Sequence, residues 1–185
     1  KNFGNLHILT SGSSPVNSAA SPISGITTDI DGNTRNAITP DIGAEEFIPG
    51  EFSLDINISD GWNLVSFPLT VIDYSKTTLF PTSTSSAFSY DGAYIAQPTL
   101  TNKIGYWLKF GSTQTVSMSG SPRLLDTIDV KAGWNLIGSI SFAVPTSSII
   151  QIPSDNLVSN FYEFNRGYIP ATSITPGKGY WVKVR

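Results

Sequence analysis

Three blocks of this sequence occur twice, in the same order and at nearly one spacing. LDINISDGWNLVSFPL (54–69) matches LDTIDVKAGWNLIGSI (125–140), FSYDGAYI (88–95) matches YEFNRGYI (162–169), and KIGYWLKF (103–110) matches GKGYWVKV (177–184). From Trp62 to Trp134 is 72 residues, and from Tyr94 to Tyr168 and Trp107 to Trp181 is 74 each. Ordered self-similarity of this kind marks a duplicated structural unit. One unit of about 70 residues buries only a modest core, so two related units packed together are the better solution.

The blocks read as strands. In LDINI, Leu54, Ile56 and Ile58 alternate with Asp55 and Asn57, and TIDV repeats the alternation through Ile128 and Val130. SDG and KAG predict a tight turn ahead of each Trp, so each unit is expected to open with a hairpin. In GYWLKF, Tyr106, Leu108 and Phe110 share a face opposite Trp107 and Lys109. The same parity sets Tyr180, Val182 and Val184 against Trp181 and Lys183. The two lysines are read as charges that protect a sheet edge. No stretch sustains a helical period, and TSSIIQI (146–152) is the best candidate for a short helical turn. Only 14 % of residues are charged, against about 25 % in ordinary soluble domains, and twelve are proline. The fold class is all-β: a β-sandwich or barrel over 51–185, made of related repeats at 53–123 and 124–185 with an approximate internal twofold.

Ile48-Pro49-Gly50 is a turn signal that divides this module from residues 1–50, which are rich in Gly, Ser, Asn and Pro. The N-terminal segment contains Leu9, Ser14 and Pro15, then DIDGNTRN (29–36) with Asp29, Asp31, Gly32 and Arg35, then PDIGAEEF (40–47). This order resembles the closing part of right-handed parallel β-helix proteins secreted by bacteria, over about 40 residues. The duplicated part, through GWNLV and GYWLKF, resembles C-terminal modules on large surface proteins of the Bacteroidetes–Ignavibacteria kind. The resemblance implies a non-catalytic, extracellular end of a bacterial cell-surface protein. The start at Lys1, within an ongoing pattern, is read as that of a processed piece of something longer. Residues 1–47 supply at most about two coils, and a β-helix needs many stacked coils to bury its faces. The segment is therefore expected to be β-helix-like or extended, and is a natural donor strand for a neighbouring copy.

Chemistry is sparsely represented. With no cysteine, disulfides, thiolate metal sites and a cysteine nucleophile are excluded. A net charge of −3 without a basic cluster disfavours nucleic acid, and no apolar run approaches the ~20 residues of a membrane-spanning helix. Asp29, Asp31 and Asn33 place oxygens around Gly32 in the manner of a calcium loop, although a polar turn satisfies the same pattern. His7 is the single histidine and reads as a surface residue rather than a ligand. No GxSxG elbow and no defined carboxylate pair is present, so no enzyme and no cofactor are expected.

The repeated aromatics Trp107, Trp181, Tyr94 and Tyr168 admit two roles. Strands commonly place one large aromatic in a core or subunit contact, and the same rings can stack on sugars. The leading expectation is an extracellular structural module for attachment, display or self-assembly. Its expected partners are further copies joined head to tail, into a filament by N-terminal strand donation, or other surface proteins. The alternative is an adhesive module that binds glycans through these aromatics.

Overall fold

The computed structural model describes residues 16, 18–30, 32, 34–44, 46 and 52–185. The chain divides into two compact units, 1–52 and 53–185. His7, Asp31, Asn33 and the turn expected at 48–50 lie outside the described residues.

In the first unit the described backbone is mostly turn and bend, tied at a few points. Ala20 N–H donates to Pro40 O, Ile42 N–H to Val16 O and Ile30 N–H to Ala44 O, each at 2.8 Å. Thr28 and Thr34 bridge across the DIDGN tip, where Gly32 adopts φ +86°. The Arg35 guanidinium donates to the carbonyls of Gly43 (2.9 Å) and Asp41 (2.5 Å) and stands 3.5 Å from the Glu46 carboxylate. Ile23, Ile26, Ile30, Ile38 and Ile42 remain exposed.

The second unit is all-β. Its strands are β1 (Phe52–Ile58), β2 (Gly61–Ser66), β3 (Leu69–Thr70), β4 (Ala87–Tyr90), β5 (Tyr94–Gln97), β6 (Gly105–Phe110) and β7 (Gln114–Pro122). They continue with β8 (Gly133–Ile137), β9 (Val144–Pro145), β10 (Phe161–Phe164), β11 (Tyr168–Ala171), β12 (Ser173–Ile174) and β13 (Tyr180–Val184). The duplication is carried by two open four-stranded antiparallel sheets of matching order, β2-β6-β4-β5 and β8-β13-β10-β11. They pack face to face, as in a sandwich. β1-β7-β3 forms a third sheet, with no counterpart in the second repeat, and β9 pairs β12.

Three local expectations are corrected. β1 and β2 form no hairpin, because β1 joins β7 while β2 joins β6; the turn between them passes the chain from one sheet to another. TIDV is not a strand, since residues 123–130 join no sheet. β7, which precedes this stretch, already holds β1 on one side and β3 on the other. Lys109 and Lys183 protect no edge, because β6 and β13 are interior strands of their sheets. The helical turn expected within 146–152 is a three-residue 3₁₀ turn at Thr146–Ser148. Its counterpart, α1 (Lys76–Leu79), carries no sequence period that announces it.

The repeated motifs have repeated local causes. Gly61 and Gly133 sit at φ +85° and +97°, a region that L side chains avoid. The following Asn closes the turn. Asn63 accepts from Ser59 N–H (3.0 Å) and donates to Ser59 O (2.8 Å) and Gly61 O (3.1 Å). Asn135 does the same with Lys131 N–H (2.9 Å), Lys131 O (2.7 Å) and Gly133 O (3.1 Å). In GYW the tyrosine faces the interior of its own repeat. Tyr106 accepts from Thr101 N–H at 2.9 Å, and Tyr180 from Thr175 N–H at 2.8 Å. Tyr180 and Val182 pack with Ile137, Phe161 and Ile174.

Candidate functional site

The alternate face of each GYW strand points toward the other repeat. Leu64, Trp107, Leu136 and Trp181 form one buried cluster, flanked by Phe88, Tyr90, Tyr162 and Phe164. The contacts are reciprocal. Tyr90 meets Trp181 with ring centroids 4.8 Å apart and planes at 73°, and Phe164 meets Trp107 at 4.7 Å and 74°. Trp62 stands edge-on to Trp107 at 6.4 Å, and Trp134 to Trp181 at 6.3 Å. Such tilted geometry sets the positive edge of one ring on the negative face of the next.

Backbone pairing draws the same two repeats together. Val65 bridges Lys178, and Ile104 bridges Ile137. Gly179 N–H donates to Leu64 O at 3.0 Å, and Gly138 N–H to Lys103 O at 2.8 Å. This closeness explains the glycine of GYW. A Cβ on Gly105 would lie 2.7 Å from Ile137 O, and one on Gly179 would lie 2.9 Å from Val65 O. Where the strands cross, the Ser66 and Ser139 hydroxyls pair at 2.8 Å, and each also bonds the 177–178 backbone.

Trp107 and Trp181 are thus covered by the sister repeat, each more than nine-tenths buried. Neither indole N–H has an acceptor among the described residues, at a cost of roughly 1–3 kcal/mol apiece that the burial of the rings offsets. Tyr94 and Tyr168 lie on the edge strands β5 and β11 and are more than half exposed.

On one side of the seam the aromatic faces part to leave a cavity of about 420 Å³. Its walls are Tyr90, Tyr94, Trp134, Tyr162, Tyr168 and Trp181. Burial, and then the neighbouring Tyr94 phenol, raises the Tyr168 phenol above its ordinary 10.0. The Trp181 N–H, near that phenol but outside hydrogen-bond geometry, pulls the other way. Tyr94, Tyr168 and Trp181 of the sequence-derived set meet here, whereas Trp107 belongs to the related side. Sequence reasoning passed over Tyr90, Tyr162 and Trp134. The available signal was a mismatch between blocks: FSY against YEF exchanges Phe and Tyr at both aligned positions.

In the candidate calcium loop, Asp29 is buried and accepts from Glu46 N–H at 3.2 Å. Gly32 N–H donates to Asp29 O at 3.2 Å, as in a turn. Asp41, also buried, accepts from Ser18 N–H at 2.5 Å. Among the described residues no three His, Cys, Asp or Glu side chains converge as a metal site would require. No family model, no curated protein and no solved structure matches this chain.

Proposed function

We propose that this chain is an extracellular structural module of a bacterial surface protein, serving attachment or display through assembly with further copies of itself. The observation that carries the reading is the difference between the two outer edges of the sandwich. β5 (YIAQ) is an edge strand with no charge and no proline, and it exposes Tyr94 and Ile95. At the matching place in β11, Pro170 stands where β5 has Ala96. Proline on an edge removes a donor and blocks strand addition. One edge is blunted and its sister is open, which suits a head-to-tail contact better than a closed pair. The five exposed isoleucines of the first unit support that unit of a second copy as the occupant of the open edge. No catalytic step is assigned.

Electron microscopy and sedimentation of the full chain at rising concentration test the idea. Wild type should form filaments or extended oligomers. Ala96→Pro should abolish them with little change in Tm, because the sister strand already accommodates proline at that register. Monomers alone at high concentration, or assembly that survives both Ala96→Pro and removal of residues 1–50, would overturn it. Immunogold labelling of intact source cells checks the surface placement.

A further inference from the structure

The seven tyrosines fall into two chemical groups. Tyr74, Tyr106 and Tyr180 have hydroxyls engaged in structural bonds: Tyr74 donates to Asn102 Oδ1 at 2.9 Å, and the other two accept from Thr101 and Thr175 N–H. Tyr90, Tyr94, Tyr162 and Tyr168 all line the cavity at the seam, and none has an ordinary hydrogen-bond partner among the described residues. Structural tyrosines bond inward, whereas these four gather around one space.

The arrangement is one-sided. Across the approximate twofold, Tyr94 and Tyr168 exchange places, but Tyr90 becomes Phe164 and Tyr162 becomes Phe88. Packing is the same on both sides, as the matching ring geometries show. The added hydroxyls are therefore not needed to hold the seam together.

We infer that this cavity is a binding site for the ring of a neutral sugar. A pyranose presents apolar C–H faces and an edge of hydroxyls that both donate and accept; flat aromatic walls with phenolic tips match both. The volume lies within the roughly 300–1,000 Å³ of small-ligand sites. Charge argues for a neutral ligand. The cavity wall is six aromatic side chains with no charged group among them, and Asp91, next to Tyr90, is paired with Lys131 at 2.6 Å. A proline-rich peptide also docks on aromatic walls. Its prolines carry no N–H, so it would meet the phenols only with acceptors, whereas sugar hydroxyls meet them as donors and acceptors alike.

Calorimetry and tryptophan fluorescence on the full chain, with cello-, xylo- and chito-oligosaccharides as probes, test the site. At least one probe should bind at millimolar concentration or below. The Tyr90→Phe/Tyr162→Phe double variant keeps every ring and should weaken that binding by about tenfold or more, with Tm unchanged. Tyr106→Phe is the control: it should lower Tm and leave affinity alone. No sugar binding at millimolar concentration overturns the inference, as does equal affinity in the double variant. Binding of a proline-rich peptide in place of sugars reassigns the cavity to peptide. The double variant leaves the β5 edge intact, so loss of sugar binding with assembly retained separates this site from the assembly contact.

Discussion

The two repeats share a sheet order, a turn clamp and a seam, yet they differ at one edge strand and around one cavity. The first repeat ends in an open edge strand, and the second ends in one carrying Pro170. The first contributes Tyr90 and Tyr94 to a cavity whose other walls come from the second, and no equivalent set of phenols exists on the related side. The seam keeps Leu64 and Leu136, and Trp107 and Trp181, in matched places with matching ring geometry, while Phe and Tyr exchange at 88/162 and 90/164. Repetition here reports on packing, and the departures from it mark the edge and the cavity to which the assembly and sugar-binding proposals are tied.

If the seam is reciprocal, matched substitutions must have matched effects. The largest are expected from Trp107→Ala and Trp181→Ala, each lowering stability by about 3–5 kcal/mol in urea unfolding. A loss confined to one of them would show that only one repeat depends on the seam. Next come Gly105→Ala and Gly179→Ala, where the new methyl meets a carbonyl of the sister repeat. Each should cost about 1–3 kcal/mol, and full tolerance of either would mean that the strands can separate without penalty. Asn63→Ala and Asn135→Ala remove the turn clamps on the surface, and each should lower stability by about 1 kcal/mol.

The smallest effect should break the symmetry. Asp73 accepts from Thr78 Oγ1 (2.6 Å) and from Ser75 N–H (2.8 Å) and Oγ (3.0 Å). The Thr78 bond first, and the Ser75 bonds after it, hold its carboxyl below the ordinary 3.8. A lowered carboxyl contributes its stability above the unfolded value and loses it as pH falls through the folded one. Below pH 3.8, amide protection at Leu79 and Phe80 should fall while that at Ile149 in the sister repeat does not. Asp73→Asn should remove the pH dependence.

Much of the fold was legible because strand parity is local. Alternation in GYWLKF separated Tyr106, Leu108 and Phe110 from Trp107 without knowledge of what each face would meet. Pairing was not legible where it depended on a distant strand. SDG has the composition of a hairpin turn, but β1 found β7 more than fifty residues away, and TIDV alternates like a strand yet pairs with none. The cavity was half legible. Its tyrosines were visible as residues, but partnered and unpartnered phenols look alike until Thr101 and Thr175 are seen to engage Tyr106 and Tyr180.

The reciprocal seam has a consequence for descent. Each repeat presents a surface complementary to its own kind, which is the geometry of a twofold homodimer. Two identical chains meeting in that way would carry every feature twice, so a pocket of phenols on one side would force a second on the other. Covalent linkage makes the meeting intramolecular and independent of protein concentration. It also lets the two halves mutate separately. A single polypeptide can then keep Tyr90 opposite Phe164 and Tyr162 opposite Phe88, and so hold one distinctive site on a symmetric frame.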